Sequence, residues 1–220
     1  GRAAHQGGRG YVWEYFPGME IYEYTFATGE LKNLTKSDKY DAEASYSPDG
    51  KLIMFSSLRE GAQQVFIANA DGSNPRRISN GPGDGGPFFS PDGKRVIYRG
   101  DRKGDGNMQI FVNNLEGTAE KAITPADALY WCPYWHPSGK WVAFTYSDLK
   151  QMPPRFDVYV MRDDGSDMQR VTSAGAWNGL PVFSPDGKYL MWTSKRGNAD
   201  TPQIFIADFV GLTPEGDVKR

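Results

Sequence analysis

Few residues in this chain have the chemistry of a catalyst. Its histidines are His5 and His136, and its one cysteine is Cys132. A serine hydrolase needs a Gly-x-Ser-x-Gly elbow and a histidine base, and no such elbow occurs. One cysteine and two histidines cannot make a zinc site. Cys132 reads as a small buried residue near a channel, because the histidine nearest in sequence, His136, occupies the turn position held by Ser in the other copies of the chain's repeat. Gly83-Asp84-Gly85-Gly86 lacks the Lys-Ser/Thr and following helix of a phosphate loop. Asp101-Arg102-Lys103-Gly104-Asp105-Gly106-Asn107 has Lys at the third position, and no glutamate stands at the twelfth, so it is a poor calcium loop. Asp41, Glu43 and Asp84 are compatible with a hard cation held together with carbonyls and water. No cofactor is otherwise expected, and no catalytic set emerges.

The elements that would position these residues come from a repeat. Tyr46-Ser47-Pro48-Asp49-Gly50-Lys51 returns as Phe89-Ser90-Pro91-Asp92-Gly93-Lys94, Trp135-His136-Pro137-Ser138-Gly139-Lys140 and Phe183-Ser184-Pro185-Asp186-Gly187-Lys188. The prolines at 48, 91, 137 and 185 are 43, 46 and 48 residues apart, a period that means a solenoid, propeller or array. Pro presets φ and Gly accepts positive φ, so each copy turns tightly between two strands. A further run follows in each copy: Gln64–Ala68, Gln109–Val112, Asp157–Met161 and Gln203–Ala207. A second Gly turn (Asp71-Gly72, Glu116-Gly117, Asp164-Gly165) leads to a short polar strand. Four strands, A to D, in ~45 residues are one propeller blade.

With Ser57-Leu58-Arg59, Ser194-Lys195-Arg196 and Asp71-Gly72-Ser73-Asn74 beside the four turns, the pattern resembles the TolB-like propeller repeat over roughly residues 20–210. The copy around His136 departs most, with His136 and Ser138 in its turn and no Ser-x-Arg after it. The resemblance implies an all-β propeller of four-stranded blades that binds partners, in a periplasmic or secreted setting, and it implies no reaction.

The blades are expected at 11–35, 40–80, 84–124, 129–173 and 177–220, in a single domain spanning 1–220. About five blades make either a complete five-bladed ring or part of a six-bladed one. The second is favoured, since both ends stop inside a blade and leave an unpaired edge. Other chains or domains would then complete the propeller.

Net charge of −2 and a pI near 5.8 argue against a nucleic-acid surface. No apolar run reaches the ~18 residues of a span, and the first residues do not read as a signal peptide.

Turns A–B and C–D lie at one end of a propeller, and loops B–C and D–A at the other. The first set is uniform here and the second differs in every blade, so binding is expected on the B–C/D–A side. Seven positions before each turn proline stand Asp41, Asp84, Tyr130 and Asn178, expected to ring the channel mouth. With Glu43, Trp131, Met152, Arg155 and Trp177 they form the candidate surface for a protein or peptide.

Each also has a structural reading. Trp131 and Trp177 would wedge between blades, Asp41 and Asp84 would cap turns, and Met152-Pro153-Pro154 would be a stiff loop. Arg59 and Arg196 would tie loops to a neighbouring blade. Tyr46, Phe89, Trp135 and Phe183 read as core. Against a non-catalytic binding propeller stand the propeller of a larger enzyme, prolyl-oligopeptidase-like or multi-subunit, and a cation-dependent propeller enzyme.

Overall fold

A computed structural model of the chain describes residues 15–175, 177–196 and 201–211. The described residues contain strands and turns but no helix. The first blade contributes β1 (Tyr22–Thr25) and β2 (Glu30–Asn33), paired antiparallel. The second holds β3 (Asp41–Tyr46), β4 (Leu52–Ser57), β5 (Gln64–Asn69) and β6 (Arg76–Arg77). The third holds β7 (Gly85–Phe89), β8 (Arg95–Gly100), β9 (Gln109–Asn114) and β10 (Lys121–Ala122). The fourth holds β11 (Leu129–Trp135), β12 (Trp141–Ser147), β13 (Asp157–Arg162) and β14 (Gln169–Arg170). The fifth shows β15 (Trp177–Phe183), β16 (Tyr189–Lys195) and β17 (Gln203–Asp208). Neighbours in sequence are neighbours in each sheet, as in an antiparallel meander. The expected strand at 11–16 falls mostly outside the described residues, as does the tail from 212.

Two repeated devices make the sheets alike. Ser47, Ser90 and Ser184 donate to Asp49, Asp92 and Asp186 at 2.6–2.7 Å. Each of these hydroxyls also accepts the N–H that opens the next strand. The fourth blade substitutes His136, whose Nδ1 meets Ser138 at 2.8 Å and whose Nε2 meets the Gly187 carbonyl at 3.0 Å. At the start of strand C, the N–H groups of Ile21, Val65, Ile110 and Val158 donate to the hydroxyls of Thr35, Ser79, Thr124 and Thr172. The second-turn glycines Gly72 and Gly117 have positive φ, and a Cβ on either would collide with a carbonyl of the preceding blade. That is why glycine recurs there.

The core is a series of seams between blades. Met54, Val65 and Ile67 pack on Phe89, Val96 and Tyr98 of the next blade. Ile97, Ile110 and Val112 do so on Trp135, Val142 and Phe144, and Ala143, Val158 and Val160 on Phe183, Leu190 and Trp192. The corresponding residues of the fifth blade, Met191, Ile204 and Ile206, are 38%, 72% and 65% exposed. Tyr22 and Tyr24 on the first blade are exposed too. Among the described residues the blades thus run as an arc whose two end faces are exposed.

Tyr46 departs from its expected core role and is exposed, unlike Phe89, Trp135 and Phe183. The described part of the blade before it has only two strands. There its hydroxyl donates to Glu23 at 2.9 Å.

Candidate functional site

Strands A line the channel, and each carries the same irregularity. Pairing with strand B slips between Ala42 and Ser45, Gly85 and Phe88, Trp131 and Tyr134, and Gly179 and Val182. The bulged residues Glu43, Gly86, Cys132 and Leu180 have φ of 57°, 59°, 50° and 56°. All four stand five positions before the turn proline. A left-handed bulge costs a non-glycine residue local strain and re-aims its side chain.

The bulges and the residues after them enclose a cavity of about 250 Å³, with Phe88, Tyr134, Pro181 and Val182 among its walls. Its polar wall is an ion pair between Arg99 and Glu43 at 3.0 Å. Glu43 also accepts from Ser56 and from the Gly86 N–H, both at 2.8 Å. Burial pushes the Cys132 thiol up to about 12, with Arg99 opposing and Glu43 assisting, so it stays protonated. Arg99 was not singled out in the sequence, because it lies inside a strand-like run with no motif around it. A second space, at the turn end, is ringed by Pro48, Pro91, Pro137 and Pro185.

The four residues expected to ring the mouth do not face it. Asp41, Asp84, Tyr130 and Asn178 are buried. Their backbone N–H groups donate to the carbonyls of Met19, Gln63, Met108 and Phe156 in the preceding blade at 2.8–3.0 Å. This peg holds each D–A loop against the B–C loop of its neighbour, at the same end of the arc. Asp41 pairs with Arg59, and Asp84 with Arg102. Asn178 accepts from Ser194 at 2.6 Å, and Tyr130 donates to Asp127 at 3.0 Å. The bulge explains the displacement: it turns the residue two positions later toward the axis.

The arginine assignment also changes. Arg59 and Arg102 bind aspartates of their own blades, and Arg196 bonds Ser194 of its own sheet. Burial raises Asp84 to about 6 against the pull of Arg102, while Asp84 and Glu120 together raise Arg102 against its own desolvation. Asp41, Glu43 and Asp84 thus each face a separate guanidinium instead of sharing one cation site. Among the described residues no three His, Cys, Asp or Glu side chains are placed to hold a metal.

The other candidates lie on the loops. Met152 is 75% exposed, and Arg155 is exposed beside it. Trp131 and Trp177 are half-buried on β11 and β15. Asp101, excluded as a calcium ligand, accepts the N–H groups of Gly104, Asp105 and Gly106 and so shapes its own loop. No helix among the described residues is long and apolar enough to cross a membrane.

Comparison with known proteins agrees with this architecture. The family model described as the TolB beta propeller domain matches residues 16–98 and 87–216. The Tol-Pal system protein TolB of Wolinella succinogenes is 22% identical over 85% of this chain and 44% of its own length. A protein of Bacillus subtilis named as an uncharacterised peptidase, YuxL, is 29% identical over 82% of this chain but only 26% of its own. A structure from Agrobacterium tumefaciens assigned as TolB superposes with a TM-score of 0.73 at 22% identity, covering 85% of this chain and 69% of that one. The chain spans half or less of the curated relatives it matches. It belongs to the TolB beta-propeller family.

Proposed function

We propose that this chain is a non-catalytic binding propeller that docks a protein or peptide on its B–C/D–A loop face. One observation carries the reading: four near-identical turns close one end of the channel, while the other end carries loops that differ in every blade. Loops that vary on a constant scaffold are where recognition is built.

Trp131, Trp177 and Met152 supply apolar contact, Arg155 and Glu43 supply charge, and the channel cavity lies between them. Aromatic anchors with a mixed-charge rim suit a peptide or protein partner. Asp41, Asp84, Tyr130 and Asn178 act beneath this surface by pegging its loops in place. A periplasmic or secreted location fits the family.

The test is capture of a partner from periplasmic extract by the immobilised chain. Trp131→Ala with Trp177→Ala should abolish capture, and Asp92→Lys with Asp186→Lys at the turn end should leave it intact. Equal loss in both variants would overturn the reading.

The likeness to a protein named as a peptidase favours a second reading, in which the propeller serves a larger enzyme. A Gly-x-Ser-x-Gly segment elsewhere in the native polypeptide, with peptidase activity lost on its mutation, would establish it.

A further inference from the structure

We infer that the B–C corner of the fourth blade is a socket for an arginine side chain carried by the docking partner. Eleven residues after the turn proline, the second, third and fifth blades carry Arg59, Arg102 and Arg196. The fourth blade carries Asp148 there. Each arginine lays its guanidinium over the strand C aromatic of its own blade: Arg59 over Phe66 at 5.0 Å, Arg102 over Phe111 at 4.0 Å, and Arg196 over Phe205 at 4.3 Å. Beneath it lies a pair of rings, with centroids 6.2, 5.8 and 6.0 Å apart in the three blades.

The fourth blade keeps the ring pair, Phe144 and Tyr159 at 5.9 Å. Tyr146 stands where the others have Ser57, Gly100 or Ser194, and it extends the aromatic wall, 5.0 Å from Tyr159. No guanidinium of the described residues lies over Tyr159. A cavity of about 270 Å³ opens there, lined by Tyr146, Tyr159, Asp148 and Gln151 and by the Asp157–Arg170 pair.

Charge selects the occupant. Arg170 and Arg155, which also borders the cavity, are both drawn to Asp157, at 2.5 and 3.8 Å, and Arg155 donates to the Ser173 carbonyl as well. The Asp148 carboxylate has no cation among the described residues and accepts the Lys150 N–H and the Gln151 side-chain amide. An aromatic wall beside a carboxylate without a cation suits a planar cation that stacks and donates a forked pair of hydrogen bonds, which a guanidinium does and an ammonium does not. The fourth blade thus takes from outside the group its neighbours supply themselves.

The inference rests on the loop face being the docking surface, and its test needs no partner. Blocked Gly-Arg-Gly is titrated into the ¹⁵N-labelled chain, with citrulline and lysine counterparts, following amides of residues 146–159. The arginine peptide should give saturable shifts, and the citrulline and lysine peptides should bind at least tenfold more weakly. Asp148→Asn should lose the response. Asp148→Arg should also lose it, by filling the socket from within, with no fall in thermal midpoint.

Absence of saturable shifts, equal binding of citrulline or lysine, or full binding by Asp148→Asn would each overturn the proposal. The capture experiment above can still succeed if this one fails, so the two readings fail separately.

Discussion

The two ends of the channel are built by different rules. At the turn end, Ser47, Ser90 and Ser184 make the same pair of bonds, and where histidine replaces serine it reaches the next blade as well. At the loop end three solutions serve four blades: an aspartate–arginine pair holds the second and third, an asparagine–serine bond the fifth, and a tyrosine–aspartate bond the fourth. Closing a blade has one good solution and is repeated. Presenting a surface does not, so the internal bonds there change with the loops they hold.

If that contrast is right, the largest loss of stability should come from the loop end of the third blade. Arg102 pairs with Asp84 and Glu120 and stacks on Phe111. Arg102→Ala leaves two carboxylates uncompensated and should cost about 3–5 kcal/mol in urea unfolding. Arg196→Ala, in the blade that has Asn178 where the second and third have aspartate, should cost about 1 kcal/mol. Equal costs would break the distinction between blades.

The seams give the next effect. Ile110 is buried between blades and Ile204 is exposed at the end of the arc. Ile110→Ala should cost about 2–5 kcal/mol, and Ile204→Ala under about 0.5 kcal/mol. Ser90→Ala at the turn end should cost about 1 kcal/mol without altering partner capture.

The smallest effect is in pH, and the two ends should oppose each other. The turn aspartates Asp49, Asp92 and Asp186 are held below the usual carboxylate range, first by their serine hydroxyls and then by the lysine N–H that follows. Their contribution is present above about pH 4 and is lost as pH falls. Asp84, raised to about 6 by burial, binds its proton more tightly when folded. Its contribution is present below about pH 4 and is lost as pH rises through 6. Urea midpoints at pH 3, 5 and 7 should fall on both sides of 5, and Asp84→Asn should flatten the upper limb alone.

What the sequence disclosed follows from the same contrast. The Ser-Pro-Asp-Gly turns were legible because one geometry demands one set of residues, and the blades followed from their spacing. The bulge was not legible: Glu43, Gly86, Cys132 and Leu180 share a backbone conformation and nothing else. Counting along strand A as though it were regular therefore placed Asp41 and Asp84 at the channel, two residues from the positions that reach it. Arg59 announced itself by its motif, but its partner lies at the other edge of the same strand pair, which spacing does not reveal. Tyr46 matched its repeat, yet the described residues of the blade before it bring only two strands, and it stays exposed where Phe89 and Trp135 are buried.

Hydrogen exchange of the captured complex tests the docking face most directly. Added protection should fall on amides around residues 43, 131–132, 152–156 and 177–180, with none at 48–51, 91–94, 137–140 or 185–188. Protection concentrated on the four turns, with the loops unchanged, would contradict the account.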